Sequence, residues 1–516
     1  MTESISFLES IEQLVLSAAV YLLIAFFALL LLALVTVAVL YIVDVVQMKN
    51  AIHRNYPVIG HFRELFEHLG EFFRQYFFAM DREELPFNRA QRSWVDRASK
   101  NVDTTVGFGS TKDLRRPGSV LFVNCPYPTL DTEAAGSTAV TIGPHCREPW
   151  TTDSLFNVSG MSYGAISRPA VRALSKGAAM AGCWLNTGEG GLSPYHLEGG
   201  ADIVYQIGTA KNGVRTLDGE LDDVRLAEAA ALPQVRMFEL KMSQGAKPGK
   251  GSILPGGKVT EEIARIRNIR MGEDAVGPNR HPEINTNSDL LDMIVHVRKV
   301  TGKPVGFKAA IGAYGWLDNL CAEILERGEE SAPDFITVDG AEGGTGAAPM
   351  PLIDDMGLPL RESLPLVVDS LRRHRLAGRV CVVASGKLVT PADVAWALCM
   401  GANFVATARG FMFALGCIQA LRCNKNTCPT GITTHNRKLQ KGLVVESKAK
   451  RVCNYVFRIR KEVGILAHAC GVHHPQELRR FHARVVQENG LSIALNELHP
   501  DANPPDGQAV HPLERG

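Results

Sequence analysis

The pattern of apolar and polar positions divides the chain into regions of different character. Residues 14–43 carry no charged side chain, whereas from about residue 150 short apolar runs alternate with alanine-rich amphipathic segments. These runs, each followed by small or polar residues, are Phe156–Ser159, Cys183–Thr187, Ile203–Gln206, Val235–Lys241, Val305–Ala309, Phe335–Asp339, Val380–Ser385 and Phe404–Ala408. Alternation of strands and helices predicts parallel strands joined by crossovers. Eight such units predict an α/β fold of the (β/α)8 TIM barrel type.

The apolar N-terminal segment predicts a transmembrane helix. A helix over residues 14–43 would rise about 45 Å, more than the roughly 30 Å of bilayer hydrocarbon. The residues before it include three glutamates and no lysine or arginine, unlike the basic start of a cleavable signal peptide. Lys49, Arg54 and Arg63 follow it. The positive-inside rule therefore predicts a single-pass membrane protein with its catalytic domain in the cytoplasm.

These patterns predict four segments along the chain. We expect a transmembrane helix at 14–43, a juxtamembrane helical extension at 50–149 and a barrel at 150–440. Residues 441–516 are expected to form a C-terminal helical extension and a loose tail. The long interval before the fifth strand predicts an inserted loop at 242–290.

Composition excludes some functional classes. The net charge is +1 and charged residues make up 21% of the chain, so nothing indicates a nucleic-acid-binding surface. The 11 cysteines are an odd number and mostly lie in apolar stretches, which is not the pattern of a secreted disulfide scaffold. A reducing compartment is the better interpretation.

Three of the cysteines stand apart from the others. Cys417, Cys423 and Cys428 have the spacing C-x5-C-x4-C, and Pro429 follows the last of them. Thiolates are the usual ligands of iron–sulfur clusters, and three ligands suggest a three-iron cluster or a four-iron cluster with one open site. The spacing alone is also compatible with three structural thiols, because free cysteine packs well as a small apolar residue.

The ends of the predicted strands are rich in glycine. Glycine-containing runs begin at Ser159, Asn186, Lys241, Asp339 and Ala384. In a barrel the carboxyl ends of the strands carry the site, and glycine lets backbone N–H groups approach a phosphate closely. Phosphate sites favour the loops after strands seven and eight, where Arg409 adds charge.

Long motifs in this region resemble a known family. The matching runs are Met161–Gly164, Asn186–Gly191, Lys241–Gly249, Gly343–Pro349 and the cysteine loop through Cys428–Ile432. Residues of about 150–440 resemble the central and FMN-binding domains of glutamate synthase. The N-terminal part is similar to short bacterial FMN-binding glutamate synthase-like proteins.

The resemblance implies a barrel that holds FMN beside a three-iron–four-sulfur (3Fe-4S) cluster. It also implies amination of 2-oxoglutarate with ammonia to L-glutamate. Carried over by position, the cluster ligands are Cys417, Cys423 and Cys428, and the FMN-lining residues are Ser159, Met161, Gln206, Gly343, Gly344, Ser385 and Gly386. Lys308 corresponds to a lysine near the flavin and the 2-oxo acid carboxylate. Glu189 is the candidate for proton transfer at the imine, or else an ion-pair partner. Lys241 is a weaker candidate for an active-site residue.

The chain also departs from the family pattern. We expect no glutaminase domain, so ammonia would be free or come from a separate glutaminase subunit. We find no nucleotide-binding fingerprint, so an electron-donor protein, ferredoxin or a reductase subunit, is expected. The fourth loop has Gly249–Ser252 where Gly-Glu-Gly-Gly is usual, Ala341 and Glu342 replace His-Asp, and Lys387 replaces a glycine. Two alternatives therefore stay open: an FMN/iron–sulfur oxidoreductase acting on another oxo or amino acid, or a non-catalytic membrane-bound subunit.

Overall fold

A computed structural model of the chain describes residues 2–48, 51–73, 77–78 and 80–501. The chain divides into two compact units, Met1–Arg89 and Ala90–Gly516. The α-helices of the first unit are α1 (Thr2–Val46), α2 (Ala51–Asn55) and α3 (Gly60–Phe73). Within α1, the stretch Gln13–Val46 is long enough and apolar enough to cross a bilayer. The helix predicted over 14–43 is therefore present, and it lies within the longer helix α1.

The second unit contains the remaining strands and helices. Its strands are β1 (Val120–Phe122), β2 (Val140–Ile142), β3 (Trp150–Thr152), β4 (Phe156–Val158), β5 (Leu185–Asn186), β6 (Ile203–Ile207), β7 (Val235–Lys241), β8 (Ile253–Leu254), β9 (Ala275–Val276), β10 (Val305–Ala309), β11 (Phe335–Asp339), β12 (Cys381–Ser385), β13 (Phe404–Thr407), β14 (Ala483–Val486) and β15 (Ser492–Ala494). Its α-helices are α4 (Arg89–Ser99), which begins at the unit boundary, α5 (Arg168–Ala181), α6 (Pro194–Leu197), α7 (Asp223–Ala231), α8 (Glu261–Arg267), α9 (Asn287–Thr301), α10 (Trp316–Arg327), α11 (Met350–Asp354), α12 (Leu360–Arg373), α13 (Pro391–Met400), α14 (Arg409–Leu415), α15 (Arg437–Gln440), α16 (Val445–Ala469) and α17 (Leu495–Leu498).

Eight parallel strands close into a barrel. Their order around it is β4, β5, β6, β7, β10, β11, β12 and β13, and β13 pairs with β4 to close the ring. Each strand lies within, or within one residue of, an apolar run identified in the sequence. The (β/α)8 fold is therefore confirmed. Because neighbouring strands are parallel, their carboxyl ends meet at one rim of the barrel.

Local signals fix the helices that return between the strands. Thr390 caps α13 by accepting the backbone N–H of Asp393, whose carboxylate accepts the N–H of Thr390 in return. The same helix ends at Gly401, where φ is 106°, a left-handed conformation that favours glycine. These caps place both ends of α13, and so the start of β13, at defined residues.

The segment boundaries differ from those expected. Helix α16 packs against α5, and a Cβ on Gly177 would lie 2.5 Å from the Cβ of Val452, so the C-terminal helix belongs to the barrel's own unit. Of the segment 50–149, expected to be a helical extension, the part before residue 100 contains α2, α3 and α4. Residues 100–149 instead contain β1 and β2, and β1 pairs with β14. Prolines interrupt this stretch, and each removes a backbone donor.

Candidate active site at the carboxyl ends of the strands

The strands β10, β11 and β12 bring a lysine, an aspartate and a serine together at the rim. Lys308 Nζ lies 3.4 Å from Asp339 Oδ2, and Ser385 Oγ donates to Asp339 Oδ1 at 3.0 Å. All three side chains are buried. Burial lowers the pKa of Lys308, but Asp339, Glu239 and Glu189 outweigh that effect and raise the pKa above its usual value. Lys308 is therefore a fixed cation at this rim.

A second charged group lies around Glu189, in the loop after β5. Its Oε1 is 2.8 Å from Nζ of Lys241, the last residue of β7. Burial raises the pKa of Glu189, yet Lys241, Lys247 and Arg267 outweigh it and hold the pKa below its usual value. The glutamate is thus ionised and surrounded by cations, which makes it a weaker base than an unperturbed carboxylate.

The positive charges around Glu189 outnumber the single negative charge of its carboxylate. Lys247 and Arg267 are buried, and burial lowers the pKa of both, to about 10 for Arg267. Arg267 donates from Nη2 to the carbonyl of Tyr163, while its buried Nε has no hydrogen-bond partner within the described part of the chain. A buried cation with an unused donor fits an anionic ligand.

Inside the barrel, Glu239 organises the layer below this rim. Its Oε1 accepts hydrogen bonds from Gln206 Nε2 at 2.6 Å and Asn186 Nδ2 at 2.8 Å, and its Oε2 accepts from Thr337 Oγ1 at 2.6 Å. Ser159, Asn186, Glu239 and Thr337 are among the residues that line a small internal cavity. Gln206, an expected flavin-lining residue, is therefore held in place by a carboxylate that the sequence analysis did not single out.

The loops after β11, β12 and β13 have the properties of a phosphate site. Arg409 donates to the carbonyl of Glu342, and a Cβ on Gly344 would lie 2.7 Å from Cδ of Arg409. Burial lowers the pKa of Arg409 to about 10 and also lowers that of Lys387, and the two cations repel one another. Two neighbouring, partly buried cations beside glycines fit the phosphate of a nucleotide cofactor. The site therefore fits FMN.

Glycine is required at two of these positions for different reasons. Gly386 has a φ of 133°, which L side chains rarely adopt. A Cβ on Gly344 would overlap the Arg409 side chain. Both positions were expected to line FMN, as were Ser159 and Met161, which lie in the loop after β4 and are buried. Gly343 lies in the loop after β11 and completes the set. Their contact with a flavin stays a prediction.

The cysteine loop follows α14 and reaches the rim. His435 Nε2 lies 2.8 Å from the carbonyl of Gly164, and Ser167 donates its N–H to Ile432 at 2.7 Å. Both contacts bring the loop against the residues after β4. Cys417, Cys423 and Cys428 are close enough to influence one another electrostatically.

The three thiols differ in their surroundings. Burial raises the pKa of Cys417 to about 11. Burial also raises the pKa of Cys428, but hydrogen bonds from Thr430 and Thr433 lower it to about 7. Within the described residues, the three sulfurs do not all lie within 4.8 Å of one another, as the ligands of a single ion would. In a cluster of several irons each thiolate binds its own iron, so wider spacing fits a cluster.

A buried lysine accompanies the cysteine loop. Lys258 Nζ donates to the carbonyls of Cys423 at 3.4 Å and Thr433 at 3.3 Å. It comes from the inserted loop before the fifth strand, as do Lys247 and Arg267. The sequence analysis identified that insertion but not its buried cations. The signal available was the presence of several lysines and arginines within a stretch too long to be a simple connection.

Comparison with known proteins identifies the family. Residues 111–473 match the model described as the conserved region in glutamate synthase, so the chain belongs to that family. The glutamate synthase large subunit-like protein YerD of Bacillus subtilis is 40% identical over 498 residues, covering 89% of this chain and 94% of that protein. The archaeal-type glutamate synthase [NADPH] of Thermotoga maritima is 33% identical over 395 residues, covering 76% of this chain and 74% of that protein.

Solved structures similar to this chain include the flavin-binding domain of baker's yeast flavocytochrome b2. The similarity extends over 82% of this chain and 86% of that domain, with 12% sequence identity and a TM-score of 0.43. The family assignment rests on the sequence matches. It confirms the resemblance recognised in the motifs and identifies the protein as a glutamate synthase-like oxidoreductase.

Proposed function

We propose that this protein is an FMN- and iron–sulfur-dependent oxidoreductase that aminates 2-oxoglutarate with ammonia to L-glutamate. The observation that carries the proposal is the meeting of Lys308 and the Glu189–Lys241 pair at one rim of the barrel, in a chain of the glutamate synthase family. Bound FMN would supply the two electrons that reduce the imine carbon.

The buried cations define the substrate that we propose. A 2-oxo dicarboxylate carries two negative charges, and Lys308, Lys247 and Arg267 supply buried positive charge at the rim. Charge-assisted hydrogen bonds from such donors are stronger than neutral ones, because the site excludes water. Lys308 would hold one carboxylate and orient the carbonyl carbon.

Glu189 would attract the ammonium nitrogen and accept a proton from it. Once the anionic substrate neutralises the surrounding cations, which otherwise make Glu189 a weak base, its carboxylate would attract ammonium and accept a proton as ammonia condenses with the carbonyl. Lys241, 2.8 Å away, keeps that carboxylate charged and holds its orientation. The nitrogen would come as free ammonia or from a separate glutaminase subunit.

FMN would be held by the remaining predicted residues. Arg409 and Lys387 would hold the phosphate, and the residues expected to line the cofactor are Ser159, Met161, Gln206, Gly343, Gly344, Ser385 and Gly386. The cysteines at 417, 423 and 428 would hold a 3Fe-4S cluster. Electrons would come from a partner protein, ferredoxin or a reductase subunit.

The apolar stretch Gln13–Val46 would cross the membrane once, with the barrel in the cytoplasm.

The test follows the flavin in the full chain. The protein is purified anaerobically in detergent and its flavin is reduced with light. Absorbance is then followed as 2-oxoglutarate and ammonium are added. We expect reoxidation only when both are present, with L-glutamate formed. A flavin that stays reduced in protein with a full iron content would contradict the proposed substrate pair.

A matched pair of cysteine variants tests the cluster. Cys423→Ser should abolish the iron content while most of the FMN stays bound, because serine is a poor ligand for cluster iron. Cys125→Ser changes a half-buried thiol far from the cysteine loop in sequence and should leave iron unchanged. Equal iron in both variants would remove Cys423 from the ligand set.

One observation favours a second candidate, an oxidoreductase acting on another oxo or amino acid. Lys250 stands in the fourth loop where the family usually has glutamate, two residues beyond the Lys247–Pro248 pair at the rim. An added cation there would alter which anion fits. Reoxidation of the reduced flavin by a different 2-oxo acid, but not by 2-oxoglutarate, would establish this candidate.

A further inference from the structure

Three side chains from three helices meet at the C-terminal end of the apolar helix α1. They are Asp44 on α1, His53 on α2 and His61 on α3, and one ligand atom from each lies within 4.8 Å of the others. Asp44 is only 2% exposed, although its neighbours along the helix are almost all exposed. A buried carboxylate beside two imidazoles requires an explanation.

The distances between these atoms fit a shared divalent cation. His61 Nε2 is 3.0 Å from Asp44 Oδ1, and His53 Nδ1 is 3.9 Å from the same oxygen. The second distance is too long for a hydrogen bond. Ligands bound to zinc at 2.0–2.1 Å in tetrahedral geometry lie about 3.3 Å apart, and the two observed distances lie on either side of that value. The 3.0 Å contact is also a hydrogen-bond distance, and His61 Nε2 lies equally close to Asp44 Oδ2. An ion between the three atoms would account for the 3.9 Å approach of His53 as well.

The hydrogen bonds that these side chains make away from the shared contact also fit a metal site. His53 Nε2, the nitrogen that faces away from Asp44, is 3.2 Å from Glu64 Oε1. Asp44 Oδ2 accepts the backbone N–H of Val58 at 2.8 Å. A histidine that binds a metal through one nitrogen usually donates its other N–H to a carboxylate, and ligating carboxylates are themselves hydrogen-bonded. Both features are present here.

The two imidazoles are held close by the backbone. Their ring centroids are 4.0 Å apart with an interplanar angle of 33°. Gly60, the first residue of α3, permits this approach, because a Cβ there would lie 3.0 Å from Cδ2 of His53. A simple ion pair with Asp44 would need one imidazole, and the second would add repulsion if both were protonated.

We infer that Asp44, His53 and His61 form a site for a divalent transition-metal ion of the zinc class. Two imidazole nitrogens and one carboxylate oxygen are a suitable ligand set for zinc, with solvent completing the fourth position beside the 40% exposed His61 side chain. The ion would link α2 and α3 to the end of α1. The site is independent of the FMN and iron–sulfur chemistry proposed above.

The test uses the full chain in detergent with its flavin and iron retained. The protein is treated with a mild chelator, titrated with Zn2+ alone, passed through a desalting column and analysed for zinc and iron. We expect one zinc per chain in the parent protein and none in the His53→Ala/His61→Ala double variant, with equal iron and flavin in both. His296→Ala is the matched control, because His296 pairs with a single carboxylate, Asp223, at 2.8 Å.

Two conservative variants guard against loss of folding. Asp44→Asn removes the ligand charge and should also abolish the bound zinc. Glu64→Gln keeps all three ligands and should weaken zinc binding by about tenfold or more. Zinc content that is unchanged in the double variant would show binding elsewhere, such as at free thiols, and would overturn the inference. A parent protein that retains no zinc would overturn it as well.

Discussion

Strand β11 carries an aspartate at each of its ends, and the two are used differently. Asp334 directly precedes the strand and is completely buried. Its carboxylate lies 2.9 Å from Arg298 Nε and 2.9 Å from Arg379 Nη1, and it accepts the N–H of Val305 at 2.8 Å. The aspartate is therefore surrounded by donors from the protein itself.

Asp339, the last residue of the same strand, has a looser environment. It has one lysine, Lys308, at 3.4 Å, and accepts from Ser385 Oγ at 3.0 Å and from the N–H of Gly245 at 2.9 Å. Around it lie the glycine-rich loops and the buried cations of the rim. The comparison shows that one end of the barrel uses buried charge to stabilise the fold, whereas the other keeps charge available for a ligand.

The largest effect is expected from Asp334→Ala. The change leaves the buried Arg379 and the partly buried Arg298 without their carboxylate, and breaking a buried ion pair in this way costs about 3–5 kcal/mol of unfolding free energy. Denaturant unfolding of the solubilised protein measures it. Asp223→Ala, at an exposed His–Asp pair, should cost less than about 1 kcal/mol. A similarly small loss of unfolding free energy for Asp334→Ala would contradict the stabilising role of this aspartate.

The next effect concerns thiols near the two ends. Cys428 and Cys146 are about equally buried, at 8% and 9% exposed. The pKa of Cys428 is lowered to about 7. Burial and the neighbouring Asp334 raise the pKa of Cys146 to about 12. After iron removal, alkylation at pH 7 should be roughly several hundredfold faster at Cys428, since the thiolate reacts.

Peptide mapping by mass spectrometry at a series of pH values tests this difference. The rate at Cys428 should rise through pH 7 and level off above it as the thiolate fraction approaches one. The rate at Cys146 should still be rising at pH 10. Equal rates for the two thiols would contradict the difference in their surroundings.

Lys308→Met should lower the rate of flavin reoxidation by 2-oxoglutarate and ammonium about a hundredfold. Removing one preorganised donor from a reaction site costs about 10²–10³-fold in rate. Lys303→Met is the matched control, because Lys303 is a buried lysine just before the same strand and donates to the carbonyl of Val235 at 2.5 Å. Normal kinetics for Lys308→Met would remove Lys308 from the site.

The smallest effect is expected from Ser385→Ala. The variant loses one hydrogen bond to Asp339, worth about 0.5–1.5 kcal/mol, so FMN should bind up to about tenfold more weakly. Ser331→Ala removes a buried hydroxyl that donates to Gly328 at 2.8 Å, away from the rim, and should leave FMN affinity unchanged. Fluorescence titration of the flavin-free protein measures both. An equal loss of affinity in the two variants would indicate a general loss of packing.

Much of the fold was predictable because it depends on local patterns. Each barrel strand is a short apolar run with turn residues at its end, and its length and periodicity depend only on neighbouring residues. The family motifs also include Glu189, in the loop after β5, and the three cysteines, in the loop after α14, and Lys308 lies on the predicted fifth strand of the barrel. Their roles stay predictions, because contact with a cofactor is a property of the complex.

Other features depend on pairs of residues far apart in the chain. The pairing of β1 with β14 joins Val120 to Val485, and no window of sequence contains both. Lys247 and Arg267 reach Glu189 from an insertion whose path is fixed only by packing. The contacts of Asp334 with its two arginines and of Asp44 with its two histidines likewise depend on how the chain folds.

The sequence by itself determined the apolar N-terminal helix, the eight strands and the family, because each follows from local periodicity or from contiguous motifs. Only the tertiary structure decided which charges pair at each end of the barrel and which side chains surround Asp44. The physical reason is that local periodicity reflects interactions within a few residues, whereas charge pairing depends on distances that exist only after the chain has closed on itself.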